Sequence, residues 1–498
     1  MQKTNNLNIW LGRTAYQLIP DRFFRFGNVP NEIEGRLLKD WNDRMPNWKP
    51  DSDGVYRNNY FYGGNLKGIA EKLSYLKGLG FNMIYITPIE ESVSYHHYDV
   101  GNHLNIDPWL GTWSDFRDLC NKAHLLDILI MVDLVFNHTS IHSRYYQNQL
   151  YNDWYKKDEN GNQCFWWGFK DLAECNTLNK HYQETMVNVA KLYLSNGADG
   201  IRLDLGENFP KEFLYSIQSI KNEFPNTLIV GEMWGLATDK GDNSKIFDGQ
   251  LDSVMNYPLA DAILRWVRWG FDKHFEYYFK RVYKEYPLSV QNVLLNNIGT
   301  HDTPTTMTML AGDMMSTDLF NNHHIWDIES PWLHGEVFDT YGFREYEAEN
   351  DSLPDEKFQK GKNYTKLAIA IMYFLPGIPT IYQGTEIAET GYKDPFNRKP
   401  YAWERDETDL SNFLTCIGQY RKNNFDILST GHVSLVTISN AILILKRYVD
   451  EKKSLILVIN RTPDRISIHI PDESSYRVIF GNDISNLEPY GIMIARKG

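Results

Sequence analysis

Apolar positions along the chain follow two alternating rhythms. Eight short runs rich in apolar and β-branched residues, Thr14–Ile19, Met83–Thr87, Ile128–Val135, Gly200–Leu205, Leu228–Gly231, Ser253–Tyr257, Val293–Ile298 and Pro379–Tyr382, have the length and flanking turns of buried strands. Between them, Leu66–Leu79, Trp113–Leu125, His181–Ser195, Lys211–Phe224, Leu259–Tyr278 and Tyr364–Phe374 repeat apolar residues at helical spacing. Such alternation predicts a parallel sheet, and eight turns of it predict an α/β fold of the (β/α)8 TIM-barrel type.

Two intervals are too long for simple crossovers. His138–Asn179, rich in Tyr, Trp, Asn and Gly, follows the third run and is expected to form a small lobe over the barrel mouth. Ala311–Lys362 follows the seventh run and carries Trp326, Trp332, Phe338, Tyr341 and Phe343, too many aromatics for a solvated chain, so an ordered wall of the cleft is expected. After Phe425 the pattern changes to short alternating runs, Val433–Ile438, Ala441–Tyr448, Ser454–Ile459 and Ser467–Ile470, which predict a C-terminal antiparallel β-sandwich. The expected organisation is a barrel over 1–137 and 180–425, an inserted lobe over 138–179 and the sandwich over 426–498.

A chain of 498 residues can bury a large core and a second small one. Its formal charge of −13 argues against nucleic acid or an anionic membrane as partner, while neutral ligands remain open. The 14 Trp and 31 Tyr suit stacking on sugar rings as well as core packing, and most are assigned to the core. Trp166, Trp167, Trp326 and Trp332, on the two insertions, fit either role equally. The first residues lack the apolar stretch of a signal peptide and no segment reaches a membrane span, so a cytoplasmic chain is expected. Cys120, Cys164, Cys175 and Cys416 are widely spaced and read as buried free thiols.

Four carboxylate-bearing segments recur in order, each after an apolar run: Asp133-Leu-Val-Phe-Asn-His138, Gly200-Ile-Arg-Leu-Asp204, Gly231-Glu-Met-Trp234 and Gly299-Thr-His-Asp302. They place acids at the carboxyl ends of successive strands, where such barrels keep their reactive groups. Hydrolysing an acetal with retention requires two carboxyl groups about 5–5.5 Å apart, and Asp204 and Glu232 on neighbouring strand ends meet that demand. Arg202, two residues before Asp204 and on the same face, is expected to depress its pKa. Glu232, beside Trp234, is expected to have its pKa raised by burial for general-acid work. A lone strand-end Asp is more often a cap or an ion-pair partner, but three in this order with His138 and His301 reverse that weighting. His96, His97 and His138 show no metal-ligand spacing.

These residues resemble the α-amylase superfamily of retaining glycoside hydrolases, and the resemblance runs from Tyr16 to the C-terminus. It implies Asp204 as nucleophile, Glu232 as acid/base and Asp302 as transition-state stabiliser. It also implies Arg202, His138 and His301 as ligands of the −1 sugar, Tyr98 stacked on that sugar, His96 near its 6-hydroxyl, and Trp234 and Glu207 as further substrate contacts. Asp133 and Asn137 would brace the third-strand loop. Asn137 matches a calcium ligand of many members, so a structural Ca²⁺ is a candidate, with no cofactor required for the chemistry. Phe81-Asn-Met-Ile-Tyr-Ile-Thr-Pro88 and Gly377-Ile-Pro-Thr-Ile-Tyr-Gln-Gly-Thr-Glu386 look like the second- and eighth-strand motifs. Tyr16-Gln-Leu-Ile-Pro-Asp-Arg22, Phe61-Tyr-Gly-Gly-Asn65 and Ser94-Tyr-His-His-Tyr-Asp99 look like the cyclomaltodextrinase, neopullulanase and maltogenic-amylase branch, whose N-terminal β-domain is lacking here. That branch tends to carry Asn-Glu where this chain has Glu207-Asn208, and Arg where it has Thr305. The implied function is cleavage of α-1,4-glucosidic bonds in maltooligosaccharides or cyclodextrins. The alternatives are a 4-α-glucanotransferase and, against the retained acids, a non-catalytic carbohydrate-binding barrel. Oligomeric state is left open.

Overall fold

Eight parallel strands buried along their length order themselves because each presents apolar side chains to both a helical layer and a barrel interior. They are Ala15–Leu18, Met83–Ile86, Leu129–Leu134, Gly200–Leu203, Leu228–Gly231, Ser253–Val254, Leu295–Asn297 and Ile378–Tyr382. The computed structural model describes residues 7–33, 35–49, 60–239, 245–312, 347–405, 407–470, 473–481 and 486–497. Hydrogen bonding runs from the sixth strand through the fifth, fourth, third, second, first and eighth to the seventh. A parallel bridge between Met255 and Leu295 closes the ring. The expected TIM barrel is therefore present, with strands shorter than the apolar runs by one or two residues at half of the ends.

Local chemistry sets the helix boundaries. Thr112 and Asp115 form a reciprocal capping box at the start of Trp113–Leu125, and the Asn179 side chain accepts from the Tyr182 N–H at the start of Lys180–Ser195. The long run expected as one helix over Leu259–Tyr278 is two, Tyr257–Trp269 and Asp272–Glu285, broken at Gly270, which sits at φ 78°. A Cβ there would lie 2.6 Å from the Asn440 carbonyl oxygen, so only glycine turns this corner. Leu66–Leu79 likewise divides into Leu66–Glu71 and Leu73–Gly78.

Within 138–179, His138–Ser140 pairs antiparallel with Leu172–Glu174. A hairpin of Glu90–Ser92 and Val100–Ile106, not anticipated from sequence, lies between the second strand and Trp113–Leu125. The C-terminal region forms a five-stranded antiparallel sheet ordered His432–Ile438, Ile442–Tyr448, Ser454–Asn460, Ile492–Lys497 and Tyr476–Phe480, with a two-stranded pair of Ile466–Ser467 and Asn486–Leu487. Ala311–Lys362 is not one long loop: residues 355–362 open the helix Asp355–Phe374. Its aromatics Trp326, Trp332, Phe338, Tyr341 and Phe343 lie outside the described residues. Of the cysteines expected to be buried, Cys120 and Cys175 are, Cys164 is half-buried and Cys416 is exposed; all four are free.

Glu386, just past the eighth strand, is wholly buried and accepts from the Tyr16 and Tyr401 hydroxyls at 2.5 and 3.0 Å, while its Oε2 has no hydrogen-bond partner among the described residues. Burial pushes its pKa from 4.5 to about 7 against those hydrogen bonds. The native state thus keeps a proton that the unfolded chain releases at lower pH, so this group costs stability as pH rises from 4.5 to about 7. Glu386→Gln keeps the acceptor and removes the charge. The variant is expected to match the parent below pH 4.5 and to gain up to about 3 kcal/mol above neutral pH, read from denaturant unfolding across pH. A pH-independent difference would contradict this.

Candidate active site

Glycine brings the two principal acids together. Gly206, two residues past Asp204, approaches Gly231 so closely that a Cβ on it would stand 2.6 Å from the Gly231 Cα and 2.9 Å from the Glu232 nitrogen. The Glu207 N–H donates to the Glu232 carbonyl at 3.1 Å and the Glu232 N–H to the Leu203 carbonyl at 3.1 Å. Leu205 takes a left-handed φ of 51°, which aims its N–H at Glu232 Oε2, 2.8 Å away. That conformation is costly for a branched side chain, and it is held here by the two strand ends on either side.

Arg202 is fully buried and serves three carboxylates at once. Its Nη1 donates to both oxygens of Asp133 at 2.8 Å and to Asp204 Oδ1 at 2.9 Å, and its Nη2 lies 3.1 Å from Glu232 Oε2. The Trp234 Nε1 donates to Glu232 Oε1 at 2.9 Å, and its ring stacks on Tyr257 at 4.0 Å. Arg202 lowers the Asp204 pKa as expected, but it does not set the sign of the net shift. Burial, then the neighbouring Glu232 charge, push that pKa well above the usual carboxylate range, and Arg202 only opposes them. One cation beside the two buried aspartates does not outweigh the burial that raises both.

The opposite wall centres on Tyr98 and His301. Their rings stack at 5.2 Å, the Tyr98 hydroxyl donates to Asp133 Oδ2 at 2.8 Å, and it is also bonded to His301 Nε2. Gln17 Nε2 donates to His301 Nδ1 at 2.8 Å, so the proton of the neutral ring sits on Nε2 and is offered to Tyr98. Burial, with Arg398 and Arg202 adding to it, holds His301 well below its ordinary pKa. Asp302 lies 3.2 Å from His301 Nε2 and 3.3 Å from Arg398 Nη2, and burial raises its pKa against the nearby arginines. His96 accepts the Tyr98 N–H on Nδ1 at 3.0 Å and is held neutral, its pKa pushed down to about 3 by burial and by Arg398. Burial also lowers His138, to about 4.

The remaining expected residues divide between the pocket and its supports. Asp133 sits under the pocket as a buried acceptor for Arg202, Tyr85 and Tyr98, its pKa raised to about 6 by burial. His138 donates from Nε2 to the Tyr98 carbonyl at 3.0 Å and stacks on Trp166, so it joins the lobe to the pocket wall. Glu207 is half-buried at the Gly206–Asn208 turn. The Asn137 carbonyl accepts from the Cys175 N–H at 2.8 Å. Among the described residues no three His, Cys, Asp or Glu side chains cluster to hold a metal. Arg398 and Asp394 were missed by sequence reasoning. Arg398 donates from Nε to the His301 carbonyl at 2.8 Å and reaches Asp302, and Asp394 accepts from Tyr95 at 2.8 Å. The signal was the Asp394-Pro-Phe-Asn-Arg398 segment in the loop after the eighth strand, where a charged pair sits at the catalytic face.

A closed (β/α)8 barrel with carboxylates gathered at the ends of its fourth, fifth and seventh strands defines a barrel of the glycosidase class. The α-amylase catalytic-domain model matches residues 17–328, and the chain belongs to that family. An amylopullulanase from Thermoanaerobacterium saccharolyticum is 29% identical over an alignment covering 90% of this chain and 37% of that protein. A cyclomaltodextrinase from Thermoanaerobacter pseudethanolicus is 27% identical, with 95% and 72% covered. The structure of cyclic α-maltosyl-(1→6)-maltose hydrolase from Arthrobacter globiformis, in complex with that sugar, superposes with a TM-score of 0.77 at 20% identity, over 98% of both chains. The chain spans about a third of the length of the amylopullulanases it matches. Among the described residues no helix is long and apolar enough to cross a membrane.

Proposed function

We propose that the protein cleaves α-1,4-glucosidic bonds of maltooligosaccharides, cyclodextrins or related α-glucans with retention of configuration. The observation that carries this is the single Arg202 guanidinium ion-paired with both Asp204 and Glu232 at neighbouring strand ends. The retaining route needs one proton between the two acids, which share one cation and one buried site. A retaining glycosidase starts from that state, with one carboxylate and one carboxylic acid. In the first step the Asp204 carboxylate attacks the anomeric carbon, the bond to the leaving oxygen breaks, and Glu232 gives that oxygen its proton. In the second, Glu232 takes a proton from water as the water oxygen displaces Asp204. Asp302, His301 and the Nε2–H of His96 line the pocket as partners for the hydroxyls of the reacting sugar. The substrate class rests on what similar proteins are named for, pullulan, cyclodextrins and maltosyl-maltose.

The test is product analysis with maltoheptaose, β-cyclodextrin, pullulan and starch, reading the anomer of the first product by NMR. An α-anomer is expected, and a β-anomer would overturn the two-step chemistry. Products longer than the substrate at high maltotriose would make the protein a transferase instead.

Tyr98 supplies the apolar face against the −1 sugar in this reading, since its half-buried ring lies between His96 and His301. Tyr98→Ala should cut kcat/KM on maltotriose by about 10–100-fold, the equivalent of a lost aromatic contact and its buried area. Tyr98→Phe should keep most of that binding. An unfolding temperature that falls in step with activity would make the ring a packing element only.

A further inference from the structure

The lobe over the barrel carries a tryptophan that its backbone disfavours and its packing does not explain. Trp167 is 66% exposed, although a ring of this size normally orders by burial. It sits at φ 50°, ψ 20°, and Gly168 follows at φ 80°. The Gly168 N–H donates to the Phe165 carbonyl at 3.1 Å and the Phe169 N–H to the Trp166 carbonyl at 3.0 Å, so Trp167 and Gly168 are the two central residues of a tight left-handed turn. Such turns take Asn, Asp or Gly at the first central position, because a bulky side chain there is strained. Strain without compensating burial points to a use outside folding.

The ring's placement says which use. Trp167 stacks on Trp166 at 5.1 Å with 9° between planes, and Trp166 stacks on His138 at 5.2 Å with 21°. His138 in turn holds the Tyr98 carbonyl beside the pocket. Three near-parallel rings therefore step outward from the pocket wall to solvent. The flat outer face of Trp167 is the free end of that stack, its neutral apolar surface matched to the C–H face of a pyranose.

We propose that Trp167 is a specificity-determining residue that stacks on a glucosyl unit of the α-glucan outside the −1 pocket, so that longer chains bind in preference to short ones. The inference rests on the α-glucan reading above. Trp167→Asn separates function from packing, because Asn suits the turn and relieves the strain while removing the ring.

The experiment titrates maltotriose and maltoheptaose calorimetrically into Glu232→Gln protein with and without Trp167→Asn, alongside thermal unfolding. The maltoheptaose preference is expected to fall by about threefold to tenfold, the range of one aromatic contact. The unfolding temperature should hold or rise, and Trp167→Phe should restore most of the preference. Equal weakening of both ligands, no weakening, or an unfolding temperature lowered by more than about 4 °C would overturn the inference and leave the function standing. Failure of the Glu232→Gln protein to bind either sugar would overturn both.

Discussion

Asp204→Asn and Glu232→Gln are each expected to lower turnover of maltoheptaose by at least about 10²-fold, because each deletes a group for which the retaining route has no substitute. The two losses should differ in kind. An aryl glycoside with a good leaving group needs no proton on departure, so Glu232→Gln should still form the glycosyl-enzyme and show a burst of released phenol. Asp204→Asn has no nucleophile and should show none. The substitutions are near-isosteric and both positions are almost fully buried, so unfolding temperatures report whether the site survived. Asn at 204 still accepts from Arg202, and Gln at 232 still accepts from either Trp234 or the Leu205 N–H. If both variants released phenol in a burst, the nucleophile would lie elsewhere.

The barrel was legible because its strands are buried on both faces and read as continuous apolar runs, as in Leu228–Gly231, where predicted and observed bounds coincide. The places where reading failed have local causes. Leu259–Tyr278 keeps helical periodicity across Gly270, and periodicity alone does not register a left-handed corner. The Val100–Ile106 strand, partly exposed at Leu104 and Asn105, lacks the apolar run that marks the barrel strands. At the site, residue identity and strand position picked out Asp204, Glu232, Asp302, Arg202 and His301, and the family resemblance supplied Tyr98. The sign of the Asp204 pKa shift was not legible, because it depends on burial and on the Glu232 charge across the strand gap, and sequence showed only the nearby cation. Arg398 was hidden for a related reason: its partner Asp302 is 96 residues away, and only the closed barrel brings the seventh and eighth loops together.

Replacing Arg202 with Met is expected to be more damaging than removing any one acid. The change leaves the buried carboxyls of Asp133, Asp204 and Glu232 facing one another without a cation. Removing one partner from a buried charge network costs about 3–5 kcal/mol, and the loss here should depend on pH. Asp133 already has a folded pKa of about 6 against an ordinary 3.8, so it costs stability as pH rises through that window, the unfolded chain releasing its proton first. Without Arg202 that upward shift grows for Asp133 and Asp204 alike. The deficit should therefore be small near pH ~3, where both aspartates are largely protonated in either state, and widen toward neutral pH. Turnover should fall by at least about 10²-fold, since losing the opposing cation drives Asp204 further toward the protonated form, which cannot attack. Adding Asp133→Asn to the variant should recover part of the stability at neutral pH and little of the turnover, because it removes one stranded charge and leaves Asp204 without its cation. A stability deficit constant across pH would assign Arg202 to packing alone, and turnover within about tenfold of the parent would remove it from the catalytic machinery.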